Sequence, residues 1–187
     1  MTALLDLPTV RERIKPVSVA DYHRLTEGEP TELLRGMILE KMSKSPLHQD
    51  TVDDLREILQ GQIQPAYRLR QEGPLTLADS EPEPDLSVTL RQQPGKRRGH
   101  PSTAELVIEV AVSSLEIDRV KALIYAEADV KEYWIVCPEE RQVEVYLGPR
   151  PEGYATQTVI VPPSVLESTA LAGVRVDLGA FFARGGA

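Results

Sequence analysis

Apolar positions recur along this chain at two spacings, every three to four residues in some segments and every second residue in others, and these predict its helices and strands. A short helix is expected from Ser18 to about Thr26, with Ser18 as its cap and Asp21 at the third helical position able to return a hydrogen bond. Glu32 to Leu34 and Met37 to Met42 read as the two strands of a hairpin about Arg35-Gly36, where the glycine supplies the backbone freedom of a tight reversal. A longer helix opens at Ser45-Pro46, buries Val52, Leu55, Ile58 and Leu59, and ends near Gly61.

Strands follow at Tyr67 to Leu69, at Leu75 to Leu77 and, after the proline-rich Glu81 to Pro84, at Asp85 to Leu90. In the last of these Leu86, Val88 and Leu90 point one way and Asp85, Ser87 and Thr89 the other, so a carboxylate stands at the start of the polar face. Glu105 to Val112 is nearly continuous in apolar residues, as an interior strand covered on both faces would be. Ser113 or Ser114 caps the next helix, which carries an Ile117, Val120, Ile124 stripe flanked by Lys121 and stops near Ala128-Asp129. Glu132 to Val136 and Gln142 to Leu147 form a hairpin across Pro138 to Arg141, and Tyr154 to Val161 adds a strand beyond the Gly148 to Gly153 turn. The tail packs through Val174, Val176, Leu178 and Phe181.

Composition narrows the class. A chain of 187 residues, 41% hydrophobic, suits one domain, taken as residues 17–187 behind an N-terminal arm of residues 1–16. With 21 basic and 29 acidic side chains the formal charge is -8, which excludes a polycation that coats nucleic acid through net charge. Any phosphate-binding surface is therefore local, and Arg91, Lys96, Arg97 and Arg98 lie in a loop without one acidic residue. The lone Cys137 cannot form an internal disulfide and no Cys/His spacing fits zinc, so an intracellular, cytoplasmic location is expected. Asp6 and Pro8 interrupt any secretory apolar core, and the Leu106 to Val112 run contains Glu109 and is too short to span a bilayer, so neither export nor membrane insertion is expected. Tyr133-Trp134 falls inside a strand and reads as core, Cys137 as inert, and His23 and His100 as surface residues.

Glu109 stands out, because a carboxylate in a buried strand costs several kcal/mol, roughly, unless a cation compensates it. Its partner is an arginine or lysine, or a metal ion. Asp85 shifts the balance: a two-strand platform can bring it beside Glu109, and a hard divalent ion removes the repulsion between the pair while keeping waters for attack on phosphorus. Taken alone, Asp85 reads more readily as a turn-forming aspartate. Lys121, on the helix leaving the Glu109 strand, can return an ammonium to these carboxylates, or it pairs with Asp118 on the surface at i, i+3.

These residues resemble the putative restriction endonucleases of the Uma type, within the PD-(D/E)XK nuclease superfamily, from about Val17 to Phe182. The similarity rests on Glu32-Leu33-Leu34-Arg35-Gly36, Ser45-Pro46-Leu47-His48-Gln49, Pro84-Asp85-Leu86 and Val107-Ile108-Glu109-Val110. It continues with Asp118 and Lys121 before Tyr125, and with Val130-Lys131-Glu132-Tyr133-Trp134-Ile135-Val136. The resemblance implies an α/β restriction-endonuclease-like core, a mixed β-sheet flanked by helices. It implies Asp85 and Glu109 as Mg²⁺ ligands, with Mn²⁺ as substitute, the Val110 carbonyl as a third oxygen, Lys121 as catalytic lysine and Glu32 as an auxiliary acid. Two residues after the acidic ligand the superfamily has a lysine and this chain has Ala111, so that function has moved to the following helix. His48 matches a family histidine, for which capping or packing serves as well as catalysis. DNA is the implied substrate, and a homodimer is expected, since two symmetric sites serve the cutting of both strands. The rivals are a nuclease-like module that binds nucleic acid or protein without cutting, and a hydrolase of small phosphate esters.

Overall fold

The computed structural model describes residues 15–91 and 99–184. The expected arm therefore falls almost wholly outside the described residues, as do Lys96, Arg97 and Arg98 of the basic loop. Helix α1 spans Val19–Leu25, and the Ser18 hydroxyl accepts the Asp21 N–H as its cap. Strands β1 (Thr31–Leu34) and β2 (Met37–Glu40) form the expected hairpin. Both turn residues have positive φ, 54° at Arg35 and 73° at Gly36, and a β-carbon at Gly36 would collide with Pro16.

Helix α2 (Pro46–Gln60) starts at the Ser45 cap and ends at Gly61, burying Val52, Leu55 and Leu59. The main sheet contains β3 (Tyr67–Gln71), β4 (Leu86–Leu90), β5 (Leu106–Val110), β6 (Glu132–Cys137), β7 (Gln142–Arg150) and β8 (Gly153–Ile160) in that order. Only β5 and β6 run parallel, joined by helix α3 (Leu115–Glu127); every other neighbouring pair is antiparallel. Strands β9 (Val165–Glu167) and β10 (Arg175–Asp177) and helix α4 (Leu178–Arg184) close the chain.

The pleat sends side chains to two cores. Leu86, Val88, Leu106, Ile108 and Trp134 meet α2, the β9–β10 hairpin and α4 on one face. Val107, Tyr133, Ile135 and Tyr146 meet Ala122 and Tyr125 of α3 on the other. The result is the expected mixed sheet flanked by helices. No helix among the described residues is long and apolar enough to cross a membrane.

Two expectations are corrected and a third is made more exact. Leu75 to Leu77 is not a strand: its amides donate to the carbonyls of Pro82, Pro101 and Ser80, so the segment is a loop pinned at three points, although Leu75 is fully buried. In β4 the expected alternation of Leu86 and Val88 against Asp85, Ser87 and Thr89 holds, but the polar side is buried too, and Leu90 at the strand end is the exposed residue at 41%. In α3 the supposed buried stripe is largely outside, with Ile117 39% and Val120 64% exposed; only Ile124 of that stripe is buried. The inward face instead carries Asp118, Lys121, Ala122 and Tyr125, a polar set with no place in an ordinary apolar stripe.

Candidate active site

Pro84 has no N–H for a sheet ladder, so β4 begins just after it, and Asp85 occupies the strand's mouth. The register pairs Leu86 with Ile108 and Ser87 with Val107, and one further step sets Asp85 opposite Glu109 on the face that α3 covers. Two crossed hydrogen bonds fix the pair: the Asp85 amide donates to Glu109 Oε2 at 3.2 Å, and the Val110 amide donates to Asp85 Oδ2 at 2.9 Å.

Helix α3 returns from the end of β5 with Lys121 aimed at this corner. Its Nζ lies 3.0 Å from Glu32 Oε2, 3.1 Å from Glu109 Oε1 and 3.7 Å from Asp118 Oδ1. Lys121 is only 5% exposed, so its contact with Asp118 is part of a buried cluster and not the solvated surface pair that the spacing also allowed. Glu32 reaches the same amine from β1 and is held by the Glu83 amide at 2.8 Å. The Tyr125 hydroxyl donates to Glu109 Oε1 at 2.9 Å, and the Ser114 hydroxyl to Asp118 Oδ2 at 2.5 Å. Glu32, Asp85, Glu109 and Lys121 thus line one cleft of about 150 Å³.

Two further residues line this cleft: Lys44, which sequence reasoning passed over, and His48, which it left between capping, packing and catalysis. Lys44 Nζ is 3.1 Å from Asp85 Oδ1 and 3.0 Å from Glu72 Oε1, and His48 Nε2 is 3.1 Å from Asp85 Oδ2. The peptide N–H of His48 is the one capped by Ser45, so this residue serves the helix start with its backbone and the carboxylate with its ring. Periodicity had no means of finding Lys44, which lies in the connection before the Pro46 turn. The signal that existed was the helix start itself: first-turn residues of α2 project toward whatever lies at the β4 mouth.

Four carboxylates, those of Glu32, Asp85, Glu109 and Asp118, share one corner with Lys121. Burial, followed by the charges of Asp118, Asp85 and Glu32, overrides the help of Lys121 and pushes the Glu109 carboxyl up to about 8. Burial raises Asp118 as well. Asp85 moves the other way: burial would raise it, but the hydrogen bond and charge of His48, the Val110 N–H and Lys44 hold it below the usual carboxylate range. Lys121 is stabilised in its charged form, since Glu109, Glu32 and Asp118 outweigh its desolvation.

The Glu109 shift predicts a pH effect in metal-free buffer. Because its carboxyl is raised on folding from 4.5 to about 8, its contribution to stability is fully present below about 4.5 and is lost as pH rises through about 8. Glu109→Gln keeps the shape without ionising, so thermal melts in EDTA are expected to lose part of the fall across that window. An unchanged slope contradicts the assignment.

An all-oxygen donor set with excess negative charge suits a hard divalent cation such as Mg²⁺ or Mn²⁺. Among the described residues no three His, Cys, Asp or Glu side chains are grouped closely enough to enclose an ion. The carboxylates that lie side by side number two, a partial donor set that a bound ion would have to complete with water. The two carboxylates are those of Asp85 and Glu109, which the crossed hydrogen bonds place side by side.

Comparison with known proteins identifies the family and the fold. The family model Uma2, described as "Putative restriction endonuclease", matches residues 19–179. The fold is similar to the crystal structure of a putative nuclease belonging to DUF820 from Anabaena variabilis ATCC 29413, with a TM-score of 0.76 and 19% sequence identity, over 91% of this chain and 99% of that one. No curated protein matches the chain.

Proposed function

Since the chain belongs to the Uma2 family of putative restriction endonucleases, we propose that it is a metal-dependent endonuclease that hydrolyses DNA phosphodiester bonds and works as a homodimer. The observation that carries this reading is the convergence of Asp85 and Glu109, distant in sequence, on one cleft with the Lys121 amine 3.1 Å from Glu109. Asp85 and Glu109 would hold Mg²⁺ or Mn²⁺, with the Val110 carbonyl at the same strand end as a further oxygen. When bound, such an ion supplies Lewis-acid polarisation of the phosphate and lowers the pKa of a water.

The chain's own groups do the rest. Lys121 eases the ionisation of Glu109 against the burial that opposes it, and it brings a fixed positive charge to the place where negative charge grows on the phosphoryl oxygens, the kind of preorganised electrostatic help that contributes most to catalysis. Glu32 clamps that amine from the β1 side, so the ammonium is aimed before substrate arrives. The Lys121 amine performs here what the superfamily's usual lysine, replaced by Ala111, would do from the strand. Lys41 and Lys44 also line the cleft, but each is paired with carboxylates, Lys41 with Glu83 at 2.6 Å and Lys44 with Glu72 and Asp85 at 3.0 and 3.1 Å, so attraction for phosphate would come from a bound cation.

The test is incubation of the purified protein with plasmid and with single-stranded DNA in Mg²⁺ or Mn²⁺. Cleavage is expected in the wild type and only background in Asp85→Ala; full activity in Asp85→Ala overturns the assignment. Thermal stabilisation by the metal should disappear in Glu109→Ala. DNA binding without metal-dependent cleavage or stabilisation identifies the non-cutting module instead, and competition by a small model diester separates DNA cleavage from ester hydrolysis.

A further inference from the structure

The six-stranded sheet has two edges among the described residues, and they are built differently. Strand β3 is five residues long and carries Arg68 and Arg70, the charged side chains that discourage pairing with another strand. Strand β8 is eight residues long, and from Gly153 to Val161 it contains neither a charged residue nor a proline. Ala155, Thr156, Gln157, Thr158 and Val159 are all exposed, and two of the large exposed apolar side chains stand here, Val159 at 49% and Val161 just past the strand end at 49%. A long edge without such defences presents a row of free backbone donors and acceptors that natural sequences normally block or cover.

We propose that β8 is the contact edge of a homodimer, pairing antiparallel with β8 of a second copy about a twofold axis at Gln157. The sequence favours this occupant because it is self-complementary about that residue. Thr156 meets Thr158 of the partner, Ala155 meets Val159, and Tyr154 meets Ile160. Hydroxyl faces hydroxyl, apolar faces apolar, and no like charges are opposed, which are the favourable cross-strand pairs of antiparallel sheets. An isologous contact of this kind closes on itself and gives a dimer and not a filament. Gln157 is already oriented, its amide donating to Glu144 at 3.2 Å and to the Tyr146 hydroxyl at 2.9 Å. Val161, beyond the strand end, lies opposite Gly153 of the partner and adds apolar area to the paired backbones. The proposal gives the dimer of the preceding reading its surface, and it stands whether or not the cleft cuts DNA.

The test is sedimentation of the full chain across the micromolar range with two double variants. In Thr156→Lys/Thr158→Lys two pairs of lysines face each other across the axis, and self-association should weaken at least about 100-fold. In Thr156→Glu/Thr158→Lys each glutamate faces a lysine of the partner, and the dimer should return. Gln157→Cys should give a covalent dimer on mild oxidation, since the facing residues come within disulfide reach and Cys137 is buried. Melting temperatures show whether each variant is folded. A monomeric wild type, or a dimer indifferent to the paired lysines, overturns the proposal; a dimer of the latter kind leaves homodimerisation standing on another surface, and loss of cleavage without loss of the dimer bears on the site alone.

Discussion

Lys121→Ala is expected to lower DNA cleavage by about 10³-fold, the scale on which removal of one preorganised transition-state partner is felt, and to destabilise the metal-free fold by about 3–5 kcal/mol. Both effects have one cause. Glu32, Glu109 and Asp118 lose the one ammonium that, among the described residues, they share, and become buried carboxyl groups without a counter-charge. Protonation offers partial relief, so the stability loss should be smaller near pH 5 and larger near pH 8, the range in which the raised Glu109 carboxyl must ionise. Divalent metal separates the two consequences. At saturating Mg²⁺ the melting temperature should recover toward wild type because a cation again neutralises the cluster, whereas cleavage stays low because the amine is still missing. Melting curves and cleavage rates in the same buffers decide the matter. Recovery of both by metal alone reduces Lys121 to a structural counter-ion.

The same cluster explains where the sequence could be read and where it could not. Strands β4 to β8 and helix α2 obey their periods because their buried faces are apolar, and the hairpin at Arg35-Gly36 and the caps at Ser18 and Ser45 follow from local backbone chemistry. Asp85 and Glu109 were visible for the opposite reason: each is a carboxylate where its neighbours are apolar. Helix α3 misleads because its buried side holds Asp118, Lys121 and Tyr125, so the apolar residues that define a stripe, Ile117 and Val120, are displaced outward. Period analysis assumes that the inward face is the greasy one, and a functional cluster is where that assumption fails. Lys44 escaped, and the role of His48 stayed open, because a contact between a helix start and a strand mouth is a matter of tertiary placement that no spacing records.

A second buried carboxylate shows that this pattern does not by itself mark chemistry. Glu132 is fully buried at the start of β6, where the strand pairs with Leu106, at the opposite end of the sheet from Glu109. It accepts the Trp134 indole N–H at 2.7 Å, the Ser168 hydroxyl at 2.7 Å, the Thr169 hydroxyl at 3.3 Å, and the amides of Thr169 and Ala170 at 2.9 and 3.0 Å. No ammonium or guanidinium contact to it occurs among the described residues; its compensation is a set of converging donors that ties β6 to the segment between β9 and β10. Glu132→Ala is therefore expected to cost about 3–5 kcal/mol, since each donor keeps its desolvation penalty and loses its acceptor. At this chain length that is a fall of about 10 °C or more in melting temperature. Glu132→Gln, which retains one acceptor oxygen, should lose less than half as much. Below its melting temperature the alanine variant should cleave DNA at the wild-type rate, because the cleft at the other end of the sheet is untouched. Equal damage to activity and stability would instead mean that the two ends of β6 are coupled through the strand itself, and that Glu109 depends on Glu132 for its place.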